Sequence, residues 1–158
     1  MGLSKEQFKL EAKTLLFPVA QKFDMQYHSV NDHSVALIGK NFILVFLFDK
    51  WNTDITYLFY DGKNIIEYPI NNFVRSQVTA EDKKNIVWKN GMFDHALSDL
   101  KIIINILQNS QQNILKGNLK WVSEYNKSKY GYRPEISNLY DTSQLINLLK
   151  NYNQTQQN

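Results

Sequence analysis

The side chains of this sequence that could bind a metal are three histidines, His28, His33 and His95, and fifteen carboxylates, with no cysteine to add a thiolate. If Asn31-Asp32 is a two-residue hairpin turn, Val30 pairs with His33 and His28 with Val35. Both imidazoles then share one face of the ribbon, on diagonal positions about 7 Å apart. No HExxH, EF-hand or Cys/His spacing accompanies them, so two ordinary hairpin histidines are expected and a metal site is not. Asp94 and His95 are neighbours in sequence, and on a helix neighbours point about 100° apart, so they do not form a ready dyad. The chain lacks GxSxG, GxGxxG and GxxxxGK[ST], which removes the serine elbow and the phosphate-cradling loops. Asp49 with Asp54, and Asp61 with Glu67, are carboxylate pairs that a fold could bring together, yet all sit at turns and strand ends, where aspartate is a turn former. The expectation is therefore no catalytic residue, no cofactor and no metal. A small hydrolase built on His33 or Asp94 is the enzyme reading left over.

Residues with recognition chemistry are more concentrated. Between Lys116 and Arg133, five cations (Lys116, Lys120, Lys127, Lys129, Arg133) face one Glu124 and are interleaved with Trp121, Tyr125, Tyr130 and Tyr132. Stacking aromatics with lysines suit single-stranded nucleic acid. Trp, Tyr and Arg anchors equally suit a protein interface, and a tyrosine-rich loop packed on its own domain has the same composition. Trp51 stands in the Asp49-Lys50-Trp51-Asn52 turn, where a tryptophan either folds back onto the sheet or is offered to a partner. The expected partner-binding residues are Trp51, Trp121, Tyr125, Lys127, Lys129, Tyr130, Tyr132 and Arg133. The partner expected is a protein, with nucleic acid as the alternative.

These residues need a scaffold, and the sequence describes one. Ser4 with Gln7 forms a capping box, and Phe8, Ala12, Leu15, Leu16, Val19 and Phe23 recur at helical spacing, with a kink expected at Pro18. From Met25 the period becomes two. Strands are expected over 26–30, 34–38, 42–48, 55–60 and 64–68, an antiparallel meander punctuated by turn residues. Phe42 to Phe48 is apolar at every position, so both faces of that strand must be covered; the milder alternation of 34–38 places that strand nearer an edge. Thereafter come a helical turn at 71–77, a capping signature at Thr79 to Asp82, and a long helix from Met92 with a break before Leu115. A helical candidate within 118–129 and a final helix capped by Asp141 complete the chain. The class is α+β: an N-terminal helix, an antiparallel meander of about five strands, then C-terminal helices packed on the sheet. Residues 1–152 form a single domain, and 153–158 a disordered polar tail.

Composition bounds the rest. At 158 residues and 43% hydrophobic, the chain can bury a core without disulfides or metals. Of its eighteen cations only Arg75 and Arg133 are arginines, which argues against a surface that reads base sequence. Residues 1–80 carry eight cations and eight anions, so all of the +3 excess lies in the second half. The N-terminus has no apolar h-region, and the longest apolar run, seven residues at 42–48, is far below the ~20 needed to cross a bilayer. A cytoplasmic protein without a membrane anchor is expected.

The capped N-terminal helix, the all-apolar central strand, the Tyr68-Pro69-Ile70 exit into Asn71-Asn72-Phe73 and the C-terminal helices together resemble the layout of small bacterial immunity proteins, over residues 4–107. The resemblance implies a cytosolic, non-catalytic, antitoxin-type protein that binds and blocks the toxin domain of a contact-dependent or polymorphic secretion system. It carries no binding residues across. Immunity proteins against nucleases are usually acidic, whereas this chain is +3, which implies a toxin other than a typical nuclease or a local clustering of acidic residues.

Overall fold

A computed structural model describes residues 2–131, 135–136 and 142–157. Helix α1 spans Lys5–Lys22. It starts where the Ser4 hydroxyl accepts from the Gln7 amide at 3.2 Å while the Gln7 side chain accepts from the Ser4 amide at 2.9 Å, a box that stabilises the helix start by about 1 kcal/mol. The helix continues past Pro18 as one element, and it buries Phe8, Ala12, Leu16, Val19 and Ala20.

The sheet follows as a meander: β1 Gln26–Asn31, β2 Ser34–Ile38, β3 Phe42–Asp49, β4 Asn52–Tyr60 and β5 Ile65–Tyr68, all antiparallel, with β6 Glu135–Ile136 added beside β5. Strand order equals sequence order. Because side chains alternate across a strand, β3 sends Phe42, Leu44 and Phe46 into the larger core and Ile43 and Val45 into a second, smaller one. The two-sided burial that its composition demands is thus met by a layer on each face. β2 lies beside the edge strand β1, one place nearer the edge than β3, and all five of its residues are nonetheless buried. Its mild alternation reflects small buried residues, Ala36 packed with α6 and Ser34 bonded to the Asn31 side chain, not exposure to water.

After the sheet come α2, Asn71–Arg75, a 3₁₀ turn at Glu81–Lys83, and α3, Met92–Ser110. α3 lies on the larger core with α1 and buries Leu100, Ile103, Ile106 and Leu107. It ends at Gln111, whose φ of −132° breaks the helix before α4, Gln112–Lys116. Gly117 then closes α4 at φ 72°, and a Cβ there would lie 2.3 Å from the Phe42 ring, so conformation and space both require glycine. α5 spans Val122–Lys127. α6, Thr142–Gln157, covers the opposite sheet face: its Leu145, Leu149 and Tyr152 pack with Ala36, Ile38, Ile43, Val45, Leu58 and Ile65. The Tyr152 hydroxyl donates to the Asp24 carbonyl. The polar residues after Tyr152, expected as a disordered tail, continue α6 through Gln157, with Thr155 donating back to the Asn151 carbonyl at 2.9 Å. Asparagine and glutamine lower helix propensity too little to end a helix already anchored by three buried side chains.

Candidate partner-binding surface

The expected binding segment divides in two. Trp121 and Tyr125 are core residues, 2% and 0% exposed. They meet Tyr57, Tyr68 and Phe73 in a box of mostly edge-to-face rings, with Tyr57–Trp121 centroids 5.0 Å apart and Phe73–Tyr125 5.5 Å. Their expected role as contact residues is corrected: α5 turns them inward, because one face of a six-residue helix must be buried to hold it on the domain. Lys116, Lys120, Lys127 and Lys129 face water, and Tyr130 is half-buried with the Lys129 ammonium 5.0 Å from its ring centre. Tyr132, Arg133 and the capping Asp141 lie outside the described residues. Without Trp121 and Tyr125, the lysines of this segment lose most of the stacking surface that a single strand would use.

The histidine pair also separates. β1 pairs with β2 as His28 with Ala36 and Asn31 with Ser34, with an irregularity between Ser29 and Asn31, so the turn is Asp32-His33 rather than Asn31-Asp32. The Asn31 side chain causes this shift: its carbonyl oxygen accepts from the His33 amide at 2.8 Å and from the Ser34 hydroxyl at 3.0 Å, an Asx turn one residue later than expected. His28 stays on the strand and His33 sits in the turn. Asp32, at the same tip, takes Lys5 at 3.0 Å and Lys9 at 2.5 Å, and these hydrogen bonds, Lys9's foremost, hold its carboxyl down at about 2. Asp61 caps its own turn through the Lys63 and Asn64 amides, and Asp49 accepts from the Lys50 amide. Among the described residues no three histidine or carboxylate side chains converge as metal ligands.

Trp51 is where the structure is most informative. β3 and β4 join through a two-residue turn, Asp49 opposite Asn52, and Trp51 holds a φ of 73° within it. Four described residues other than glycine have positive φ, and the other three are Asp24, Asn41 and Asn85, the types that tolerate the left-handed region. A bulky aromatic there costs on the order of 1 kcal/mol or more relative to an unstrained site. About half of its surface nonetheless stays in water, since Trp51 is 47% exposed. Its ring stands edge-on to His95, centroids 5.2 Å apart at 77°, and Trp88 lies on the other contact of that imidazole at 5.1 Å. Trp88 is 50% exposed and its neighbour Val87 70%. Two half-exposed indoles leave on the order of 200 Å² of aromatic surface facing water, and Val87 extends it towards the range in which a patch on a monomer is often functional.

Rigid elements hold this plate. His95 points outward from the first turn of α3 while Asp94 points inward, accepting from the Leu3 amide at 2.8 Å, the divergence expected of consecutive helical residues. The Ser98 hydroxyl donates to the Val87 carbonyl at 3.1 Å and fixes the 84–91 segment on α3. Behind Trp51, the Thr53 amide donates to Asp99 at 2.9 Å and the Thr53 hydroxyl to the Ala96 carbonyl at 3.0 Å. Arg75 reaches from α2 to grip both Asp99 oxygens at 2.7 Å and the Thr53 carbonyl at 2.5 Å. Asp99 thereby raises the guanidinium's pKa further, and α2, α3 and the start of β4 are tied by one bidentate fork.

Set against known families, curated proteins and solved structures, the chain matches none. The plate therefore rests on its own geometry. Trp88, Val87 and His95 were absent from the expected binding set. The signal for the first two was an apolar triplet, Ile86-Val87-Trp88, within the polar run 81–90; Ile86 packs on the core and its two successors cannot. Among the described residues no helix is long and apolar enough to cross a membrane.

Proposed function

We propose that this chain is a non-enzymatic protein-binding module of the immunity type, which neutralises a cognate bacterial toxin domain by docking it on the Trp51–His95–Trp88 plate. The observation that carries the reading is Trp51 itself. It keeps half of its indole in water at a backbone conformation suited to asparagine or glycine, so the site carries strain that a small residue would avoid and leaves half the indole open to a partner. Such a residue fits a binding hot spot, where tryptophan is enriched and where truncation costs about 2 kcal/mol or more. Trp88 supplies a second anchor and His95 the spacer between them.

The test is a tagged capture from the native host's lysate at about 150 mM salt, where exposed charges are screened beyond ~8 Å, with and without added nuclease. Wild type and a Trp51→Ala/Trp88→Ala double variant are compared, and each retained protein is expressed with and without this chain. The expected result is one stoichiometric protein, insensitive to nuclease and lost with the double variant, whose growth arrest this chain relieves. Retention that vanishes with nuclease, or that the double variant leaves unchanged, overturns the proposal.

A further inference from the structure

The surroundings of the plate bear on the chemistry of what it meets. Residues 81–101 contain four acids and four lysines and are neutral as sequence. The fold separates them. Asp82, Asp94 and Asp99 are 0%, 7% and 7% exposed. Each is occupied: Asp82 by Thr79 and Asn109, Asp94 by the Leu3 amide, and Asp99 by Arg75 and Thr53. Glu81, the one acid of the four left in water, lies 4.0 Å from Lys84. Lys83 and Lys89 remain exposed and Lys101 half-exposed. Each tryptophan of the plate also has an exposed lysine as its chain neighbour, Lys50 before Trp51 and Lys89 after Trp88. Next to the plate, a cleft of about 180 Å³ runs between Val87 and α3 and is lined by Lys89 and Lys101 together with Glu11, Asp94 and Ser98. The exposed acids of this neighbourhood are Glu11, Asp49, Asp54 and Glu81, and Asp49 is taken up by the amide of its own turn.

We infer that the partner presents a protein surface with an apolar side chain for the Trp51–His95–Trp88 plate, ringed by carboxylates that meet Lys50, Lys89 and Lys101. This rests on the plate being the docking surface, as proposed above. Charge complementarity is what selects the occupant: Asp82, Asp94 and Asp99 are turned inward, so the exposed or half-exposed cations Lys50, Lys83, Lys84, Lys89 and Lys101 outnumber the exposed acids Glu11, Asp49, Asp54 and Glu81. Val87 favours a protein over a nucleic acid, because an aliphatic group packs an apolar side chain but offers a base no stacking face. Among the described residues no arginine fork is free at the plate for phosphates, since Arg75 is bound to Asp99.

Two capped octapeptides test this, each with a central Leu-Phe flanked by three glutamates or by three lysines on either side. They are titrated into the ¹⁵N-labelled chain while the three indole N–H signals are followed. The acidic peptide is expected to move the Trp51 and Trp88 signals saturably, more weakly at high salt, and about tenfold more weakly in a Lys50→Glu/Lys89→Glu variant. If the lysine peptide moves them equally, or charge reversal changes nothing, the acidic partner is wrong while the plate stands as a docking surface. If neither peptide moves them, the plate and the inference fall together. A thymidine oligomer that moves them more strongly than the acidic peptide overturns the inference in favour of nucleic acid.

Discussion

Replacing Asp99 by alanine removes a group that ties α3 to both α2 and β4. Asp99 accepts from both Arg75 nitrogens and from the Thr53 amide, and its side chain is 10% exposed. Thr53 is fully buried, so its amide would be left without a partner at a cost of about 1–3 kcal/mol. The Arg75 side chain is 31% exposed and can rehydrate in part, which brings the lost ion pair below the 3–5 kcal/mol of a fully buried pair, to about 1–2 kcal/mol. The sum is about 3 kcal/mol. In a chain of this length 1 kcal/mol corresponds to roughly 2–4 °C, so Tm should fall by about 10 °C. Urea unfolding followed by tryptophan fluorescence gives the free energy, and Arg75→Met with the Arg75→Met/Asp99→Ala double variant completes the cycle, the double losing less than the two singles together since it leaves neither charge unpaired. A loss below about 0.5 kcal/mol for Asp99→Ala, typical of an ordinary surface change, would refute the view that this fork holds the base of the Trp51 turn.

Three further outcomes follow from the same physics. Trp51→Gly should be more stable than Trp51→Ala by about 1 kcal/mol, because both lose the His95 contact but only glycine relieves the positive φ; equal stabilities in urea unfolding would contradict the strain. Tyr57→Phe should be neutral or stabilising by up to about 1 kcal/mol, because the Tyr57 hydroxyl is buried without a hydrogen-bond partner; a loss above 1 kcal/mol would show that the hydroxyl is satisfied in solution. The Asp32 carboxyl should titrate at about 2 rather than 3.8, because Lys9 and Lys5 favour its charged form. Its folded value is depressed, so its contribution to stability is present above 3.8 and fades as pH falls towards 2. Side-chain NMR titration checks this, and a Lys5→Ala/Lys9→Ala variant in which Asp32 titrates unchanged would contradict the cause.

How far the sequence disclosed these features depends on how local their causes are. The capping box at Ser4, the five strands of the meander and the break at Gln111 each follow from residues a few positions apart and are found where periodicity and caps place them, except that β4 begins at Asn52 rather than at residue 55 because the turn before it is only two residues long. The hairpin register was missed by one residue because an Asn31 side chain, not a backbone preference, decides which residues turn. The fate of the 116–133 segment was not local at all. Whether Trp121 and Tyr125 face a partner or the core depends on the space between Tyr57, Tyr68 and Phe73, which three different elements supply. The same holds for the plate. Trp51 could be singled out as a tryptophan in a polar turn, but that His95 meets it, with Trp88 on the same imidazole, follows from α3 crossing the end of the β3–β4 hairpin, a contact between residues 44 positions apart.

The chain contains three tryptophans, two in the plate and one in the core, so one spectrum holds both the test and its control. The most direct measurement is the set of three indole N–H signals, recorded for the free chain and for its complex with the captured partner. Trp51 and Trp88 are expected to shift or broaden while Trp121 keeps its position. Unmoved Trp51 and Trp88 signals in a stoichiometric complex would contradict this and place the docking surface elsewhere.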